Sequence, residues 1–124
     1  MQMCKILLSI NPEHVENILS GTKRYEFRKI KCKEQVDKIV IYATYPVMKV
    51  VGEADVIDII ISNPEDVWHE TAEYSGISKG FFDNYFFNRD KAVAFHLSNI
   101  KKYKRPKTLS EYGIKAAPQS FVYI

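Results

Sequence analysis

Apolar and polar positions change period several times along the chain. Lys5 to Ile10 is a short apolar run stopped by Asn11-Pro12, the pattern of a buried strand. Asn11 suits an N-cap, Pro12 the first helical position and Glu13 the positive end of the helix dipole. Val15, Ile18 and Leu19 fall three and four residues apart, so they form one buried stripe, and Gly21 ends the helix. This helix has about two and a half turns and holds only by packing. Tyr25 to Ile30 reads as a second strand, Lys31 to Lys33 as a polar break and Val36 to Thr44 as a third strand. Tyr45-Pro46 then turns the chain.

Val47 to Ile61 is long and β-rich. Gly52 inside it marks a bend of the kind a small barrel needs to close, and the parity slip before Asp58 marks another irregularity. Asn63-Pro64 repeats the cap of the first helix. A helix to about Tyr74 turns Val67, Trp68 and Thr71 inward and stops at Gly76. Another follows Ser78, with Phe81, Phe82, Tyr85 and Phe86 as a wide apolar face; such a face could stack bases, but its helical spacing favours core packing about fivefold. Lys91 to Leu97 and Gln119 to Ile124 read as strands, the last closing the barrel. Lys101 to Lys107 holds five cations and Tyr103. It suits a phosphate-tracking surface or, equally, a solvated loop or an edge strand protected by lysines.

The chain has 124 residues, enough for one domain spanning 1–124, with an ordinary apolar fraction of 46%. No apolar run approaches a membrane span. The first residues lack the pattern of a secretory signal, so the expectation is a cytoplasmic protein without membrane contact. Cys4 and Cys32 have no paired spacing, and His14, His69 and His96 are scattered. No metal site and no cofactor is expected. The net charge of +3 conceals a segregation: +4 over residues 1–33, −6 over 34–100 and +5 over 101–124. Two basic blocks around an acidic middle suit a surface that meets phosphate on one side.

The chemistry concentrates in Gly21-Thr22-Lys23-Arg24-Tyr25-Glu26-Phe27-Arg28. On a strand, Arg24, Glu26 and Arg28 share one face while Tyr25 and Phe27 point to a core. Neighbours on one face lie about 7 Å apart, so Glu26 and Arg28 can flank one small ligand. Lys23 has the other parity but sits at the glycine turn. The plainer alternative is a half-buried strand with a charged outer face.

The pattern G-x-K-x-x-E-x-R after Ile6-Leu7-Leu8-Ser9-Ile10-Asn11-Pro12 resembles the ASCH domain (activating signal cointegrator homology), of the PUA-like superfamily. The resemblance continues through Tyr42-Ala43-Thr44-Tyr45-Pro46, Val51-Gly52-Glu53 and Ala117-Pro118-Gln119-Ser120-Phe121. It implies an α+β fold: a small β-barrel of about five to six mostly antiparallel strands, with two to three short peripheral helices. It also implies a basic cleft for RNA or a modified nucleoside, in which Lys23, Arg24, Glu26, Arg28, Tyr42, Thr44 and Gln119 are the expected binding residues. Lys29 and Lys31 would add charge, and a monomer is the expected state.

A different class of function is an enzyme. Some small ASCH-like proteins resemble amidohydrolases acting on an acylated cytidine, with a lysine in this motif, a threonine three residues on and a distant glutamate. Lys23 matches the lysine and Glu73 the carboxylate, but Glu26 stands where the threonine would be. Catalysis would then rest on Lys23, Glu26 and Glu73 by another route, or the activity would be that of a nuclease. A binding role predicts that Arg28→Ala abolishes binding with little effect on folding, and that Glu26→Gln does less harm. An adaptor for other proteins has no feature in its favour.

Overall fold

The computed structural model describes residues 4–32 and 35–124. The end of the expected polar break at Lys31–Lys33 lies outside them. Strand β1 (Lys5–Ile10) leads into helix α1 (Pro12–Ser20), then β2 (Tyr25–Arg28), β3 (Lys38–Ala43) and β4 (Lys49–Ser62). Helix α2 (Pro64–Thr71), a 3-10 turn at Ala72–Tyr74 and helix α3 (Lys79–Tyr85) follow. Strand β5 (Ala92–Lys107), a second 3-10 turn at Leu109–Tyr112 and β6 (Phe121–Tyr123) complete the chain. The caps form as the residue types dictate. Asn11 accepts from Glu13 N, Asn63 from Asp66 N and Ser78 from Phe81 N, and Gly21 ends α1 at φ 89°.

The six strands make one mixed sheet in the order β2-β5-β4-β3-β1-β6, in which only β1 and β3 are parallel. The sheet is curled into a half-barrel. Strand β6 does not close it, because β6 and β2 are the two ends of the strand order. The curl is nonetheless tight enough for a β2 side chain to reach β1 across the seam, as Arg28 does.

Strand alternation sorts the core into layers. Ile6, Leu8, Ile10, Ile39, Ile41, Ala43, Val93, Phe95 and Leu97 fill the concave face, with Val15 and Ile18 of α1 against them. Burying two such side chains contributes roughly 1.5–3 kcal/mol each. That contact, rather than intrinsic helicity, holds a nine-residue helix. On the convex face at the β2–β5 end, Phe27, Ala92 and Ala94 pack under Val67, Phe82 and Phe86 of the helical layer. At the other end, Leu7, Val40, Tyr42 and Val50 are covered by Tyr103, Leu109, Tyr112 and Val122. Two apolar faces explain why β3 is apolar at both parities.

Strand β5 runs ten residues past the expected end at Leu97, so the basic segment from Lys101 is strand and not loop. It pairs with β4 from Ala92 to Lys102 and again at Lys107, with residues 103–106 bulged between, whereas β2 pairs with it only from Val93 to His96. The register shifts on β4 at Val50/Gly52 and Val56/Asp58, at the two irregularities expected from sequence, and also at Glu53/Asp55, which the sequence did not announce. A Cβ on Gly52 would lie 2.6 Å from the Lys101 carbonyl oxygen. That neighbour is backbone and cannot rotate away. Gly52→Ala should therefore cost about 1–3 kcal/mol, read as a lower midpoint in urea denaturation with an unchanged slope.

Candidate functional site

The site lies at the seam of the half-barrel, under the first turn of α1. Glu26 and Arg28 pair with Phe95 and Val93 of β5, so both point to the concave face and continue the main core laterally. Glu26 is 6% exposed. A carboxylate this buried needs a partner, and Arg28 Nη2 donates to its Oε2 at 2.7 Å. The same guanidinium crosses the seam. Nη2 also donates to the Ser9 carbonyl of β1 at 2.9 Å, and Nη1 to the Ser120 hydroxyl at 3.2 Å. Ser9 in turn donates its hydroxyl to the Pro118 carbonyl at 2.7 Å.

Lys23 arrives by a different route. Its backbone N–H donates to Asn17 O, and that of Arg24 to Tyr74 O, so both residues precede the strand alternation. The lysine stem passes under the turn after α2. Its Nζ donates to the Ser75 carbonyl at 2.7 Å and sits 4.8 Å from the Phe27 ring centroid. The residue is 2% exposed. Gly76, at φ 70°, makes room for it, since a Cβ there would lie 2.5 Å from Lys23 Cβ. Burial lowers the Lys23 pKa; Glu26 opposes the shift and Arg28 adds to it.

A cavity of about 140 Å³ opens between these groups, lined by Ser9, Ile10, Asn11, His14, Lys23, Glu26, Phe27, Arg28, Ile77, Phe81 and Tyr85. His14 meets Phe81 edge-to-face at 5.3 Å, and Tyr85 donates to the Phe27 carbonyl at 3.4 Å. Two buried nitrogens in this lining, His14 Nδ1 and Arg28 Nε, have no hydrogen-bond partner among the described residues. Burial lowers the His14 pKa, reinforced by the Lys23 charge and opposed by Glu26. The imidazole is therefore neutral near pH 7 and able to accept a proton.

Of the residues expected from sequence, the cavity gathers Lys23, Glu26 and Arg28. Arg24 turns outward instead, its guanidinium 4.0 Å from the Tyr74 ring centroid. Tyr42 is buried in the convex cluster, on the opposite face of the sheet. Thr44 lies in the β3–β4 turn, where its carbonyl accepts from Val47 N. Gln119 is exposed, while its neighbours Pro118 and Ser120 make the seam contacts. Glu73 lines an adjoining depression with Glu13 and Thr22, outside the Lys23–Glu26 cavity. Sequence reasoning gave no site role to Ser9, His14 and Ser120, although Ser9 and Ser120 fall inside the matching motifs. It favoured the core for Phe81 and Tyr85, whereas Phe81 is exposed and both line the cavity.

Residues 6–119 match the family described as Domain of unknown function (DUF365). The crystal structure of ASCH from Zymomonas mobilis superposes with a TM-score of 0.87 at 29% identity, covering 97% of this chain and 87% of that one. The chain belongs to this family and is an ASCH domain. A tyrosine-to-phenylalanine variant of the Zymomonas protein superposes at 0.88, with 28% identity over 97% of this chain and 89% of that one. An "ASCH domain-containing ribonuclease" of Zymomonas mobilis is 34% identical over 73% of this chain and 62% of its own length. A Ureaplasma parvum protein named "Large ribosomal subunit protein uL22" is 32% identical over 96% of this chain. The chain spans 39% of that relative, and 15% of a second Ureaplasma relative named "ATP synthase subunit alpha". Each match thus covers only part of the relative.

Two outcomes follow from the seam. Arg28→Ala in this ASCH domain strands a buried carboxylate and removes a bridge between strands, so it should cost about 3 kcal/mol or more in urea denaturation. The small folding effect expected from sequence gives way to this larger one. Glu26→Ala combined with Arg28→Ala should cost less than Arg28→Ala alone. For His14, the depressed pKa means that the unfolded chain binds a proton before the folded one does. Stability should fall as pH drops from 6.5 to the folded-state pKa, and then stop falling on this account. Denaturation against pH should show that loss in the wild type and a flatter curve in His14→Gln.

Proposed function

We propose that this ASCH domain binds RNA, and that the Lys23–Glu26–Arg28 cavity receives one unpaired base. The observation that carries the reading is the pair of partnerless buried nitrogens, His14 Nδ1 and Arg28 Nε, in one cavity. An unsatisfied buried polar atom costs about 1–3 kcal/mol, and a polar ligand would remove that cost. Size agrees. A cavity of about 150 Å³ holds benzene, so 140 Å³ suits one six-membered ring. Phe27, Phe81 and Tyr85 offer aromatic surface, and Glu26 keeps Oε1 as an acceptor for an amine on a base edge. RNA is read by such stacking and edge contacts to unpaired bases. No helix among the described residues is long and apolar enough to cross a membrane.

The relative named as a ribonuclease supports a second, catalytic reading of the same cavity. Neutral His14 would accept the proton of a ribose 2′-hydroxyl as that oxygen attacks the adjacent phosphorus and the P–O5′ bond breaks, leaving a 2′,3′-cyclic phosphate and a 5′-hydroxyl that takes its proton from the imidazolium or from water. Lys23 and Arg28 would hold the charge that develops on the phosphate oxygens. The acylated-cytidine reading keeps Lys23 and Glu26 but has Glu73 in the adjoining depression.

Lys23→Met keeps the buried stem and removes the charge. It should reduce affinity for single-stranded RNA about ten- to a hundredfold, the worth of one charged hydrogen bond. Fluorescence anisotropy with a labelled oligoribonucleotide, beside a melting curve, measures it; unchanged affinity refutes the cavity as the site. If the domain also cleaves, His14→Gln should reduce product formation by far more than it reduces affinity, since it removes the proton acceptor but only one of the two unpartnered nitrogens.

A further inference from the structure

We propose that the outer half of β5, together with Arg24, forms a second site that tracks the phosphates of an RNA strand entering the cavity. This rests on the reading of the cavity as a base site. Lys101, Lys102, Lys104 and Arg105 are all exposed, and none forms an ion pair among the described residues. The carboxylates nearest to them are already engaged. Glu53 takes Lys38 and the Tyr103 hydroxyl, while Asp55 takes Lys38 and Asn99. The cations are therefore left for an external anion.

Geometry connects this row to the cavity. The Leu97 N–H donates to the Arg24 carbonyl, so β5 leaves β2 beside the Lys23–Arg24 segment. A depression of about 360 Å³ lies there, between Gly21–Arg24 on one side and Leu97–Ile100 on the other. Lys23 lines both this depression and the cavity. Arg24 stands at the junction with its guanidinium over the Tyr74 ring, 4.0 Å from the centroid. A strand with one base in the cavity would pass Arg24 and continue along Lys101 to Arg105.

Tyr103 interrupts the row in sequence but offers no stacking surface there. Its ring is packed in the convex cluster and its hydroxyl donates to Glu53 at 2.9 Å. The site therefore contacts charge alone, and binding along it is indifferent to sequence and steep in salt. Lysines on an edge strand also discourage edge-to-edge pairing. That role predicts nothing about RNA affinity, and so it can be separated by experiment.

The test compares wild type with a variant carrying K102Q, K104Q and R105Q, using labelled twelve-nucleotide oligouridylate and the four nucleoside monophosphates. Each cation that contacts a phosphate contributes about 0.7 to the slope of log affinity against log salt for a single strand. The slope should thus fall by about 2, and the ratio of affinities at 50 and 200 mM salt should shrink about 20-fold. Monophosphate affinity and melting temperature should not change, and K102R with K104R should restore the slope. An unchanged slope in the Gln variant, with or without aggregation, overturns the proposal. So does polyaspartate binding wild type as tightly as the oligonucleotide, which would make the row a site for acidic protein. A wild type that binds the oligonucleotide but no monophosphate, with the slope change intact, removes the cavity reading and leaves the phosphate row standing.

Discussion

Arg28 holds three things together at once: the Glu26 carboxylate on its own strand, the Ser9 carbonyl on β1 and the Ser120 hydroxyl before β6. A sheet that curls without closing leaves two edges whose main-chain groups find no partner strand. Here one planar guanidinium, with five donors in a fixed fork, stands in for a missing run of strand pairing. Lysine could not do this, since its donors radiate from a single point. The arrangement is strong only because it is nearly dry. Glu26 is buried beside Phe95, where losing its counter-charge would leave a carboxylate in apolar surroundings. Fold and site therefore share one residue. The contact that fixes the seam also fixes the orientation of the guanidinium face that lines the cavity.

The second constraint is the buried Lys23. Burying an ammonium is costly, and its partners are one carbonyl at 2.7 Å and an aromatic face. The turn that supplies the carbonyl is itself built for the purpose. Ser75 places its hydroxyl between the carbonyls of Ala72 and Ile77, and Gly76 takes the left-handed conformation that leaves space for the lysine stem. Helices α2 and α3 are thereby tied to the start of β2, and the tie ends in a cation inside the cavity. With Arg28 opposite, the cavity holds two positive groups against one carboxylate. The surrounding low dielectric strengthens their attraction for an electron-rich ligand.

Much of the fold was legible along the chain. Asn11-Pro12, Asn63-Pro64 and Ser78 announce helix starts because their side chains satisfy the free N–H groups of a first turn. Gly52 and the parity slip before Asp58 announce the bulges of β4. The Glu26–Arg28 pairing follows from strand alternation, a property of the local backbone. Composition located the basic segment at 101–107 but left its form open. The strand emerged only because β4 is long enough to pair with it.

The gathering of the cavity belonged to tertiary structure. Parity placed Arg24 beside Glu26 and Arg28, yet the hydrogen bonds of Lys23 and Arg24 to Asn17 and Tyr74 hold that segment off the strand register and exchange the two side chains. His14, Phe81 and Tyr85 come from two helices separated by about sixty residues and meet only because the sheet curls and both helices pack at its seam. Tyr42 and Tyr103 look like binding aromatics in sequence but pack into the convex cluster. Apart from the outer half of β5, the chain alone determined which elements form, since those depend on residues a few positions apart. Which polar groups meet depended on the curl of a six-stranded sheet, set by contacts between residues as distant as Ser9 and Pro118.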